Sequence, residues 1–352
     1  MRLARLAGLA CLFLLAGVPA KAADYPAVLS EKLPRHLSEF GFFAGAGIAR
    51  PAPGIVEYDL VTPLFSDFAV KTRHVHVPEG MPARYVATEA FAFPAGSALI
   101  KTFAFPADFR RPDEKVRLIE TRVLLRQADG WVAAAYVWNE DESDAVLKIA
   151  GKRLDLSFVD DQGMEVSFSY AVPNRNQCKG CHAIDGELVP IGPKARHLNR
   201  DFDHGPMQGG GPANQLAWWA ENGLIEGLPE TGVERAADWL DDSAPLEARA
   251  RTWLDVNCAH CHRREGPASN SGLFLTFGER EPTALGIGKR PVAAGRGAGD
   301  NAFDIEPGHP ERSILLARVA STEPGVMMPE LGRALADDRA VDLLRDWILS
   351  LR

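Results

Sequence analysis

Cysteine is scarce in this chain, with five in 352 residues against 25 prolines and 32 glycines. One of them, Cys11, lies in an N-terminal apolar run, which leaves Cys178, Cys181, Cys258 and Cys261 for everything else. So few thiols argue against a disulfide-built scaffold. About 330 residues bury a sufficient core without staples, and a bridge over two intervening residues constrains little unfolded chain. Runs of basic residues are also missing and the formal net charge is −8, which excludes a nucleic-acid partner. Nor is there an uninterrupted apolar stretch of the roughly 20 residues that a membrane helix needs. The longest, "LAGLACLFLLAGV" at 6–18, follows Arg2 and Arg5 and leads to Pro19 and Ala20-Lys21-Ala22. That is the layout of a secretory signal peptide cleaved before Ala23, with Cys11 discarded. The mature chain is therefore expected in a bacterial periplasm without a transmembrane segment. There 36 basic side chains face 47 acidic ones once Arg2, Arg5 and Lys21 are gone, a balance that suits a partner with a basic docking face.

What the chain does have is a repeated phrase. "NQCKGCHAIDG" at 176–186 and "VNCAHCHRREG" at 256–266 both read Cys-x-x-Cys-His. This spacing lets two sulfurs reach the two vinyl groups of one porphyrin, while the next histidine comes under the ring to bind iron. Two covalently attached haem c groups are the expected cofactors, on Cys178, Cys181 and His182 and on Cys258, Cys261 and His262. Export agrees, because bacterial haem attachment takes place outside the cytoplasm. The rival chemistry is one zinc on the four cysteines, or two disulfides. A four-sulfur zinc site would leave His182 and His262 without a purpose.

Around the motifs the pattern changes. Residues 23–172 read as antiparallel strands: "SALIKTFAF" at 97–105, a long hairpin from "VRLIETRVLLRQ" (116–127) and "WVAAAYVWN" (131–139), and a second hairpin around "DDQG" at 160–163. Residues 173–242 are Gly/Pro-rich, with one helix in "ANQLAWWAENG" ending at Gly223. From Pro245 a helix leads into the second motif, 285–309 reads as a long loop, and Val341, Leu344, Trp347, Ile348 and Leu351 mark a terminal helix.

The stretch 243–352 resembles the class I cytochromes c, on Cys258, Cys261, His262, Met328-Pro329 and Trp347. That resemblance implies Met328 as the sixth iron ligand, with Met327 the alternate, and a thioether ligand raises the reduction potential. For the first haem the candidates are His197, His204, Met207, His74 and His76, or an empty position. His260 reads as a filler between the cysteines. "FPAGSALIKTF" loosely resembles a strand of the sheet-rich cytochromes c-prime and their hydroxylamine-oxidising relatives. Their lysine cross-link is not carried over, and Lys101 reads as a half-exposed strand residue. Taken whole, the chain resembles a family of secreted bacterial dihaem cytochromes of unknown function, through CxxCH at 178–182, "GPKARHLNRDF" at 192–202, "NQLAWW" at 214–219 and "NCAHCH" at 257–262.

The fold expected is α+β and multidomain: a signal peptide (1–22), an antiparallel β-sheet domain (23–172), a first haem segment (173–242) and a class I-like cytochrome c domain (243–352), the last two mainly α-helical. The function expected is electron transfer between a redox donor and an acceptor protein, with a secreted partner conceivable at the β domain. The alternative is a haem oxidoreductase acting on a small molecule or peroxide at an open first haem.

Overall fold

The computed structural model describes residues 25–352 apart from 206, 207 and 209. The signal-peptide reading, Cys11 and the Met207 candidate lie outside the described residues. The N-terminal half is built on strands β1 (Ile55–Tyr58), β2 (Val70–His76), β3 (Ala83–Arg84), β4 (Ala98–Pro106), β5 (Val116–Gln127), β6 (Gly130–Trp138) and β7 (Ala145–Leu147). All but β3 form one six-stranded sheet in the order β1-β2-β4-β5-β6-β7, antiparallel throughout. A separate hairpin follows in β8 (Lys152–Val159) and β9 (Glu165–Val172).

β4 is buried along both faces with only Lys101 partly open. One face is covered by the segment before β1, with Val28, Leu37, Phe40 and Phe42 packed on Ala98, Ile100 and Val123. The other carries three cross-strand rows. Val56, Val75, Leu99 and Leu124 form an apolar row, Tyr58, Arg73, Lys101 and Arg122 a charged one, and Lys71, Phe103, Glu120 and Val137 a mixed one. The apolar row meets α2 (Ala195–Leu198) and α3 (Gln215–Glu221) through Leu198, Leu216 and Trp219. Phe103 and Val137 of the mixed row meet the β8–β9 hairpin through Leu156, Phe158 and Tyr170. The charged row between them faces inward.

The first motif is itself helical, which the sequence reading did not anticipate. Helix α1 (Arg175–His182) starts at Asn174, whose side chain accepts from the Gln177 N–H while the Gln177 side chain accepts from the Asn174 N–H. This reciprocal cap satisfies two donors that a helix start leaves open. Three two-stranded pieces close the middle of the chain: β10 (Ala183–Ile184) with β11 (Glu187–Leu188), β12 (Asp201–Asp203) with β13 (Pro212–Asn214), and β14 (Ile225–Glu226) parallel to β3. Helix α4 (Leu246–Asn257) runs into the second motif, and α5 (Ile314–Ala320) and α6 (Asp338–Ser350) pack beside it through Trp253, Leu254, Leu316, Leu344 and Trp347.

The expectation of mainly α-helical cytochrome c-type haem domains is overturned. Among the described residues strand covers 26% and helix, 3-10 turns included, 22%, with six α-helices, so the fold is sheet-rich. The physical reason lies in the segments between helices. From Cys258 to Ser313, and again from Ser321 to Asp337, the described chain is turn and short 3-10 helix. Glycines such as Gly286, Gly288, Gly325 and Gly332 sit there at positive φ, where helix cannot form.

Candidate functional site

The two motifs meet although 80 residues separate their histidines. After α1 the chain reverses through Asp185 and Gly186, both at positive φ, to form the β10–β11 hairpin. The turn is fixed to the second motif's loop: the Asp185 N–H donates to the Glu265 carbonyl at 3.1 Å and the Cys261 thiol lies 3.4 Å from the Gly180 carbonyl. Arg263 reaches across to Glu89 at 3.0 Å. The loop after Cys261 is also tight. A Cβ at Gly266 would stand 2.4 Å from the Cys261 carbonyl oxygen, so only glycine fits there.

Both motif histidines are held in the same way. His182 Nδ1 lies 2.8 Å from the Val189 carbonyl, which can only accept, so Nδ1 carries the proton and Nε2 keeps its lone pair. His262 Nδ1 lies 3.3 Å from Ser271 Oγ. That hydroxyl gives its own proton to the Ala268 carbonyl at 2.7 Å, so it too accepts from Nδ1–H. Burial pushes both imidazoles down to about 4. A neutral ring, oriented by a bond through Nδ1 and open at Nε2, is the form that binds a metal.

Each histidine faces a cavity. The first, about 410 Å³, is lined by Cys178, Cys181 and His182, by Lys101 and Arg122 of the sheet, and by Met327 and Met328. The second, about 350 Å³, holds Cys258, Cys261, His262 and Met328. Both fall in the usual range for cofactor pockets. They adjoin, sharing Cys181, Asn257, His260 and Met328 among their walls.

All four cysteines are free thiols. The four-sulfur zinc arrangement is not assembled. Among the described residues, the group of potential metal ligands that comes together is Cys181, His260 and Cys261, with ligand atoms within 4.8 Å of one another. A hydrogen bond between the two thiols pushes Cys181 down and Cys261 up. His260, read as a filler, is thus a site residue, 9% exposed with Nδ1 unpartnered. Its position directly before Cys261 was the available signal.

Met328 sits on the wall common to both cavities, and Met327 on the first alone. Their loop is held by Arg333, 8% exposed, whose guanidinium donates to the carbonyls of Val319, Ser321, Met328 and Leu335 at 2.8 to 3.1 Å. Arg333→Ala should therefore cost about 2–4 kcal/mol by chemical denaturation. A loss below about 0.5 kcal/mol, the level of an ordinary surface substitution, would show that the loop does not depend on it.

The other ligand candidates separate by face. His74 and His76 point to the opposite side of the sheet, against Phe43 and Tyr25. His204 stacks on Trp218 at 3.8 Å and borders neither cavity. His197 does line the first cavity, with Nε2 3.4 Å from Asp255 and Nδ1 buried without a partner. Lys101, read as half-exposed on a strand, lines that cavity as well. Burial first, then the neighbouring Arg73, Lys71 and Arg122, hold its ammonium well below the usual lysine range.

Comparison of the chain with family models, with curated proteins and with solved structures finds no match. Among the described residues no helix is long and apolar enough to cross a membrane.

Proposed function

We propose that this chain is an exported electron-transfer protein holding two covalent haem c groups, one on Cys178, Cys181 and His182, the other on Cys258, Cys261 and His262. The observation that carries the reading is the common state of the two motif histidines: neutral, held through Nδ1–H, with Nε2 open beside a cavity of cofactor size. When bound, haem supplies an iron whose charge changes by one electron with its potential set by axial ligands and surroundings. The chain's residues do the remaining work. The cysteines tether, the histidines orient, and Leu99, Phe103, Leu273, Ile314 and Leu315 exclude water from the two chambers. Met328 is the proposed sixth ligand at the second centre. A redox donor and an acceptor protein are the proposed partners, and the acidic surface favours a basic docking face on them.

The adjoining cavities support transfer within the molecule, since they share walls and the Cys181 and Cys261 sulfurs lie within 4.8 Å of each other. The second reading, catalysis on a small molecule at the first centre, is favoured by that cavity's polar wall of Arg73, Lys101 and Arg122.

One experiment tests both. Protein matured in a haem-attaching host is weighed intact, and its spectrum is recorded oxidised, reduced, and reduced under carbon monoxide. Two haem increments with no response to the gas are expected for electron transfer. A shift of one haem's bands would put the catalytic reading ahead. No haem increment at all would end the proposal and return the thiols to zinc or disulfide chemistry.

A further inference from the structure

The charged row on the inner sheet face is an unusual thing to enclose, with Arg73 buried and Lys101 and Arg122 half-buried. Arg73, Lys101 and Arg122 are direct cross-strand partners on β2, β4 and β5, and like charges placed opposite one another destabilise a sheet. Their carboxylates do not balance them. Asp59 is divided between Arg73 at 2.9 Å and Arg200 at 2.8 Å. Glu120 is taken by Arg122 through two bonds and also accepts from the Tyr170 hydroxyl at 2.6 Å. Lys101, in the middle of the row, has the face of the Phe103 ring at 4.8 Å and no carboxylate within ion-pair distance among the described residues. Arg73 is 4% exposed, and its Nη2 is buried without a hydrogen-bond partner.

All three cations line the first cavity, where six Lys and Arg side chains face three carboxylates. Those three are Asp255, already engaged with Arg196 and His197, Glu330, 3.8 Å from Arg318, and Asp337, 3.5 Å from Arg339. A buried donor left open and a half-buried ammonium without an anion each cost free energy. The two stand side by side on one cavity wall, with the Arg122 guanidinium next to them, and point to a negative group that completes the wall.

We infer that the Arg73–Lys101–Arg122 row is a carboxylate-binding site inside the first cavity, with Lys101 as its central anchor. The inference deepens the proposed function and rests on it in one respect: the carboxylate can be a propionate of the first haem. The other source is a small diffusible carboxylate entering the same space. In either case the anion pairs with the Lys101 ammonium and fills the open Arg73 donor. Charge-assisted hydrogen bonds of this kind are the strong ones.

The test uses the matured holoprotein in three forms: wild type, Lys101→Met, which keeps the bulk and removes the charge, and Lys101→Arg, which keeps the charge. Intact mass is read first to count haems. Formate is then titrated at constant ionic strength, following absorbance and melting temperature, and resonance Raman spectra are recorded in the propionate-bending region. Saturable formate binding in the wild type, weakened at least about tenfold in Lys101→Met and largely kept in Lys101→Arg, assigns the site to a diffusible carboxylate. No formate response, but a propionate-bending band shifted in Lys101→Met and restored in Lys101→Arg, assigns it to the cofactor. The absence of both responses overturns the inference. Should the mass show no haem, the proposed function fails by itself. Formate-dependent melting of the wild type, absent in Lys101→Met, then still upholds the site, and no such shift removes it. If Lys101→Met does not accumulate, Lys101→Gln takes its place in the same comparisons.

Discussion

Asp255→Ala should be the most destabilising single substitution near the site, costing about 3–5 kcal/mol, because it leaves buried cations without their counter-ion. The Asp255 side chain is 1% exposed and lies on α4, one turn before Cys258. One oxygen accepts from Arg196 at 2.6 Å and lies 3.4 Å from His197. The other accepts the Phe277 N–H at 2.9 Å. A single carboxylate thus joins α4 to α2 and to the loop that follows the second motif. Burial alone would raise its pKa, but His197, Lys194 and Arg196 overcome that and hold the carboxyl well below the usual range. The sign for pH follows. A depressed carboxylate contributes fully above its unfolded pKa of about 3.9, and the contribution shrinks as pH falls from there toward the folded value. Denaturation of wild type and variant should show the full gap at pH 7 and a narrowing one below pH 4. Asp255→Asn, which keeps hydrogen-bonding atoms in place, should lose less. A gap under about 1 kcal/mol at pH 7, as for an exposed pair, would mean Arg196 finds another partner and the three-way link is not structural.

How much of this was legible in the sequence depends on the range of the interaction. Local pattern sufficed for β5 and β6, where alternation and the "ADG" turn mark both strands, and for α4, where Pro245 and the Leu246, Ala250, Trp253 spacing mark start and buried face. It would also have sufficed for α1. Asn174 and Gln177 stand at capping-box spacing and mark its start. What single-residue reading could not supply was company. Lys101 looks like a surface lysine because its strand neighbours alternate. What sets it apart is its like-charged neighbours Arg73 and Arg122, which are 28 and 21 residues away in sequence and opposite it in register. The meeting of Cys181, His260 and Cys261 is of the same kind, produced by the β10–β11 turn and the Glu265 carbonyl rather than by any local signal.

The helical expectation failed for a different reason. The likeness to class I cytochromes c rests on a motif, a Met-Pro pair and a terminal tryptophan, and it implies a mainly helical domain even though 285–309 already reads as a long loop. The chain itself argues otherwise between 262 and 313, where glycine and proline recur too often for a helix to run. A cofactor motif constrains the few residues that touch the cofactor. The scaffold behind them is set by burial, and here three core clusters of the described residues pack on strands.

On the proposed two-haem reading, Cys258→Ala together with Cys261→Ala should remove one haem increment from the intact mass and leave the other, since each motif has its own pair of thiols, its own histidine and its own chamber. His262→Ala should behave differently. Its thiols remain, so both increments stay, while one iron loses its proximal nitrogen and its absorption changes from low-spin toward high-spin character. Attachment and ligation are therefore separable in one motif by two readouts, mass and spectrum. The double cysteine variant that keeps both increments would place attachment outside these thiols. A variant that loses both would mean that the motifs mature together. The geometry gives that outcome a physical cause: Cys181 lies on the wall of both cavities, and the Gly180 carbonyl touches the Cys261 sulfur. Restoring the bulk with Cys261→Val would then separate lost chemistry from a collapsed wall. If the first haem returns on restored bulk alone, the second motif supports the first by packing; if it does not, the thiol at 261 is itself required.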